Sequence, residues 1–175
     1  KIKTRQRSLK KLTRDFKIWS MNNKKNTSGK FLRSSAFSLL QVIISEEIRK
    51  PLFIHCVRGW DELLPAHKRL RPKMPWMIHG FRGNAELAKQ LLSKGMYLSF
   101  WFDFVMRPES AKLLRALPTD RIFLETDGAD VDISTIYNKV AVDLNMSVVD
   151  LKKIFLGNYK EFFTSICPVT PLKGG

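Results

Sequence analysis

Three residues of this 175-residue chain combine side-chain type with position in a way that suggests chemistry: His55, His79 and Asp127. Each closes a short apolar run. The runs are Leu52-Phe-Ile-His55, Trp76-Met-Ile-His79 and Ile122-Phe-Leu-Glu-Thr-Asp127. Neutral imidazole and carboxylate are natural ligands for divalent ions such as zinc or manganese. A bound divalent ion lowers the pKa of its water and makes a nucleophile. A carboxylate beside that water can accept its proton. The trio therefore suggests metal-assisted hydrolysis. Taken singly, each residue has a plainer reading. Either histidine alone reads as a core histidine bonded to backbone, and Asp127, followed by Gly128, reads as a helix N-cap. His67, among Lys68, Arg69 and Arg71, reads as a surface residue. Cys56 reads as a small core residue on the side of its strand opposite His55.

The elements around these residues alternate. Apolar residues at helical spacing predict a helix over Phe37–Arg49, stopped by Pro51. Further helices are expected over Asp61–Leu70, over Glu86–Lys94 with Asn84 as cap, over Glu109–Leu117, over Ile133–Leu144, and over Val148–Phe163 with Ser147 and Asp150 as a capping-box variant. Between them lie four short apolar runs beginning near residues 52, 76, 96 and 121. This is the rhythm of a parallel sheet covered by helices, either doubly wound or part of a (β/α)8 barrel. In such folds the chemistry sits at the carboxyl ends of the strands, where His55, His79 and Asp127 fall.

Composition bounds the rest. The net charge is +15, and 44% of residues are hydrophobic, which suits a globular chain. No apolar run is long enough to span a bilayer. Two cysteines, Cys56 and Cys167, make no disulfide framework, which points to a reducing compartment. The basic first residues lack the apolar core of a secretory signal. Residues 1–30 hold eleven of the Lys and Arg residues and one acid, Asp15. They read as a basic, disordered arm, either a solvated tail with no partner or one able to neutralise phosphates on a nucleic acid. Residues 31–165 read as the folded domain and 166–175 as a tail. A second function class follows from the arm: a non-catalytic nucleic-acid-binding or interaction protein.

Pro51-Leu-Phe-Ile-His-Cys56, Trp76-Met-Ile-His-Gly-Phe-Arg-Gly83 and Ile122-Phe-Leu-Glu-Thr-Asp127, with Asn158 and Phe162 in the last helix, resemble the TatD family of metal-dependent hydrolases. The resemblance covers about Ala36 to Phe163. It implies four C-terminal βα units of a (β/α)8 TIM barrel of the amidohydrolase type. It also implies a cytoplasmic deoxyribonuclease or related phosphodiesterase, using zinc, manganese or magnesium. His55 and His79 would bind the second metal. Asp127 would bind the first and act as base for the attacking water. Arg58 would face a phosphate of the DNA substrate. Arg82 stands where the family has a small residue, and either binds a phosphate or caps the helix.

The chain lacks the His-x-His pair and bridging Glu that this family carries on its first and fourth strands. Half a barrel leaves two sheet edges open, and Phe53 and Phe100 are expected to be underpacked in its interior. Three arrangements fit: pairing of two copies, a half-barrel supplied by another chain, or a foreign arm joined to a true C-terminal half. Without the missing ligands, metal binding should be weak and this chain inactive alone.

Overall fold

The computed structural model describes residues 29–57 and 59–164. Four parallel strands form one sheet in the order β1 (Leu52–His55), β2 (Trp76–His79), β3 (Tyr97–Trp101), β4 (Ile122–Glu125). Helix α1 (Gly29–Ile48) precedes the sheet. Helix α2 (Trp60–Leu70) joins β1 to β2, and α3 (Ala85–Ser93) joins β2 to β3. Two short helices, α4 (Phe102–Val105) and α5 (Ser110–Arg115), join β3 to β4. Helices α6 (Ile133–Asp143) and α7 (Val148–Thr164) close the fold. This is the expected α/β half-barrel, with strand bounds within a residue of those read from the sequence. The arm, residues 1–30, lies outside the described residues except for Gly29 and Lys30, which open α1, and the tail 166–175 lies wholly outside them. Among the described residues no helix is long and apolar enough to cross a membrane.

The caps follow local chemistry. Asn84 Oδ1 accepts the Leu87 N–H at 2.9 Å at the start of α3. Ser147 Oγ accepts the Asp150 N–H at 3.0 Å and donates to the Asp150 carboxylate at 2.7 Å at the start of α7.

The two faces of the sheet differ. One face carries the row Ile54, Ile78, Leu98 and Ile122, aligned strand by strand. The helices cover it, and the main core of Ile78, Leu91, Leu98, Phe100, Leu114, Ile136 and Leu151 lies there. Burying each such side chain contributes about 1.5–3 kcal/mol. The other face corresponds to a barrel interior. Phe53, Met77 and Tyr97 form its lower row, Phe123 pairs with Ser99 one step above, and His55, His79, Trp101 and Glu125 lie toward the strand ends.

The fate of this inner face departs from expectation. Phe162, from the end of α7, is fully buried against Phe53, Tyr97 and Phe123, with ring centroids at 5.6, 4.8 and 5.7 Å. It forms the floor of the half-barrel. Phe53 remains 51% exposed, as expected of an edge strand. Phe100 is not underpacked. Strand alternation puts it on the helix-covered face, where it is fully buried and stacks on Phe104 at 5.4 Å. Asn158 explains its place in the last helix. Its Nδ2 donates to the carbonyls of Thr119 and Ile122, at 2.7 and 2.9 Å, and fastens α7 to the start of β4.

Candidate active site

His55 and His79 sit opposite each other in the parallel register of β1 and β2, with ring centroids 5.7 Å apart. Both end their strands on the inner face. His79 reaches across β3 to β4, where its Nδ1 lies 2.8 Å from Glu125 Oε2. Ser99 of β3 lies close by, its Oγ 3.3 Å from the Gly80 nitrogen. The other Glu125 oxygen accepts the Gly80 N–H at 2.9 Å, so both carboxylate oxygens are held.

Asp127 approaches the opposite side of the same imidazole. Its Oδ1 lies 3.3 Å from His79 Nε2. The backbone explains the approach. Asp127 and Gly128 both have positive φ, 49° and 77°, and the Ala129 N–H bonds to the Thr126 carbonyl at 3.0 Å. Two consecutive left-handed residues give a tight turn that only Gly, Asn and Asp enter cheaply. The turn folds Asp127 back over the strand ends. Asp127 is thus not a helix cap: Asp132 caps α6, accepting the Ser134 N–H at 2.6 Å.

The charges at this triad constrain one another. An ionised carboxylate only accepts hydrogen bonds, so Glu125 places the imidazole proton on Nδ1. Nε2 then faces a second acceptor, Asp127, which calls for a positive species between them, either a proton or a cation. Two donors on one tetrahedral ion, each about 2.0–2.1 Å from it, stand roughly 3.3 Å apart. The His79–Asp127 pair has that spacing. Metal-binding histidines commonly carry a carboxylate on their other ring nitrogen, as Glu125 stands to His79 here. Yet among the described residues no group of three or more His, Cys, Asp or Glu side chains is arranged to hold a metal ion. The residues present fit half of a divalent-metal site and not a whole one.

The other candidates fall as follows. Arg58 lies outside the described residues. Arg82 is exposed beside the site, its guanidinium 4.1 Å above the Trp101 ring. It does not cap α3, a role Asn84 fills. Cys56 is half-buried, and burial, aided by Glu62, pushes its thiol up, away from nucleophilic character. His67 is not a surface residue. It is half-buried edge-on against Trp76 at 4.8 Å, because the helical turn, not its charged neighbours, decides where it points. The role of Glu125 has one signal in the sequence, a second carboxylate two positions before Asp127.

Comparison with known proteins converges on one family. The sequence pattern described as TatD related DNase matches residues 35–164. The 3'-5' ssDNA/RNA exonuclease TatD of Klebsiella pneumoniae is 31% identical over 99 residues, covering 54% of this chain and 37% of that protein. The uncharacterized metal-dependent hydrolase YabD of Bacillus subtilis is 26% identical over 90 residues, covering 50% of this chain and 35% of the relative. Among solved structures, the TatD homologue YJJV of Escherichia coli superposes with a TM-score of 0.68 at 16% identity, over 79% of this chain and 60% of that one. The chain spans about a third to a half of the length of the curated relatives it matches. Four parallel strands, two strand-end histidines and an aspartate turned back over them agree with that match across three quarters of the sequence, and the chain belongs to the TatD-related DNase family.

Proposed function

We propose that this chain is the C-terminal half of a phosphodiester hydrolase acting on DNA, in which Asp127 takes the proton of the attacking water. The observation that carries the reading is the 3.3 Å approach of Asp127 to His79 at the carboxyl ends of the strands. Glu125 holds the imidazole in one tautomer, so that Nε2 and Oδ1 face the same small volume. His55 adds a second imidazole at the neighbouring strand end. The remaining donors for zinc, manganese or magnesium come from outside this chain, and the chain alone is inactive. Arg58 and Arg82 contact the phosphates of the substrate. The basic arm strengthens this binding without sequence preference. The setting is cytoplasmic.

Exposed apolar side chains support the need for a second half. Helix α1 exposes Leu40, Ile44 and Ile48, four residues apart along one face. Helix α7 exposes Val149, Leu156, Tyr159 and Phe163, and its end reaches β1, where Phe163 lies 6.3 Å from the half-exposed Phe53. Apolar side chains left open beside an unclosed sheet match a closed barrel cut in two. A second copy of this chain fits poorly. It would bring a second Phe162, and a second row of Phe53, Met77, Tyr97 and Phe123, to one floor. The occupant is a complementary four-stranded half with small inner side chains.

The test mixes this chain with the N-terminal part of the Klebsiella pneumoniae relative that it does not match. Hydrolysis of single-stranded DNA is followed with manganese, magnesium or zinc. Turnover is expected from the mixture and not from either part, and Asp127→Asn should abolish it. A stable one-to-one complex without turnover, or equal turnover by the Asp127→Asn variant, would sink the proposal.

A further inference from the structure

The loop between β2 and α3 is fixed at every position but one. Gly80 adopts a left-handed φ of 60°, and its N–H lies 2.9 Å from Glu125 and 3.3 Å from Ser99 Oγ. Phe81 is fully buried between Trp60 and Phe100, and its N–H bonds to the Ser99 carbonyl at 2.9 Å. A Cβ on Gly83 would come within 2.5 Å of the Phe81 ring, so only glycine lets the loop close over that ring. Asn84 caps α3. Arg82 alone points outward, exposed, with its guanidinium 4.1 Å from the centre of the Trp101 ring. Trp101 is the register partner of Glu125, so this stack stands at the same strand ends as His79 and Asp127.

A stacked arginine can simply shelter an apolar ring from water. Three observations argue for more. No carboxylate among the described residues pairs with Arg82, so its donors are uncommitted. The backbone on both sides is pinned, so the position of the side chain is set before any ligand arrives. A guanidinium seated 4.1 Å over the ring centre keeps its five N–H donors for a ligand, and a planar fork of donors recognises phosphate.

We propose that Arg82 and Trp101 form a nucleotide clamp. Arg82 binds a backbone phosphate of single-stranded nucleic acid, and an unpaired base stacks on the outer face of the guanidinium. Trp101 is a positioning residue: it acts through Arg82 by holding its plane. The clamp rests on the phosphodiesterase reading for its substrate class, and its test does not depend on hydrolysis.

The test measures binding of a fluorescein-labelled oligothymidylate to the full chain in EDTA, across a series of salt concentrations. Arg82→Gln should weaken binding about fivefold and reduce the salt slope by about 0.7, the loss of one phosphate contact on a single strand. Arg82→Lys should keep the slope and lose affinity, because a lysine cannot stack as a plane. Trp101→Leu should weaken binding while keeping the slope, and Trp101→Phe should restore most of it. If Trp101→Leu fails to fold, the Arg82→Lys and Trp101→Phe pair decides. Unchanged affinity and slope in Arg82→Gln would overturn the clamp. So would an Arg82→Lys variant that binds like the parent. Failure of the reconstituted mixture to hydrolyse DNA would count against the catalytic reading and leave this binding result standing.

Discussion

His79 and Glu125 lie 46 residues apart in sequence and on strands that are not neighbours, yet they meet at 2.8 Å. The contact spans β3, and both Glu125 oxygens are held, one by His79 and one by the Gly80 N–H. Glu125→Gln tests its role. The amide oxygen can keep the Gly80 N–H, so the amide nitrogen must donate to Nδ1. The imidazole proton is then forced to Nε2, the position that faces Asp127. Nitrogen NMR of the imidazole should report that change of tautomer. The reconstituted enzyme should lose about 10- to 100-fold in activity, as typical for removal of such a support. An unchanged tautomer would show that Glu125 does not set the imidazole.

Phe162 closes the floor beneath the site. It is fully buried and touches Phe53, Tyr97 and Phe123, one residue from each of three strands. Phe162→Ala should cost about 3–5 kcal/mol, the usual range for emptying a buried phenyl site. Urea denaturation should show a lower midpoint, and Phe162→Leu should recover part of the loss. A change below about 1 kcal/mol would mean that the floor collapses around the gap, and that the α7 end contributes little to the fold.

What the sequence made legible and what it hid divide along physical lines. The four strands could be read because a parallel sheet covered by helices demands apolar runs. The Asn84 and Ser147 caps could be read because each needs only residues three apart. Placement of His55, His79 and Asp127 at strand ends followed from the same runs. The face of each strand could not be read. Runs apolar on both faces carry no phase, so Phe100 was expected inside the barrel although Tyr97, Ser99 and Trp101 point there. The roles of Glu125 and Phe162 depend on register across strands that do not adjoin in sequence, which no local pattern encodes. His67 misled for a similar reason, since its neighbours along the chain are basic but its neighbour in space is Trp76.

Gly83 joins fold to clamp. Its position allows no side chain, with Phe81 Cζ at 2.5 Å and Leu87 Cδ2 at 2.8 Å from where a Cβ would stand. Phe81 is fully buried and packed on Phe100, so it cannot swing away. Gly83→Ala should therefore cost about 1–3 kcal/mol through overpacking. It should also displace Arg82 from Trp101, which tryptophan fluorescence and oligothymidylate binding would both report. Loss of stability with full retention of binding would show that the loop can shift without moving Arg82.

His67 gives the fold a pH dependence of known sign. Burial against Trp76 holds its imidazole below the ordinary value of about 6.5, and the nearby Lys94 adds to this. The folded chain therefore binds this proton less readily than the unfolded chain. Stability rises with pH wherever the unfolded state holds more protons. The contribution is present above the ordinary value and is lost as pH falls below it toward the lower folded value. Because the side chain is only half-buried, water screens the effect and the change in Tm should be modest. The measurement compares Tm at about pH 7 and about pH 5 for the parent and for His67→Gln. The two proteins differ only at this position, so the difference between them belongs to His67. The variant should lose less stability on acidification than the parent. An equal loss would mean that the imidazole against Trp76 stays protonatable in the folded chain.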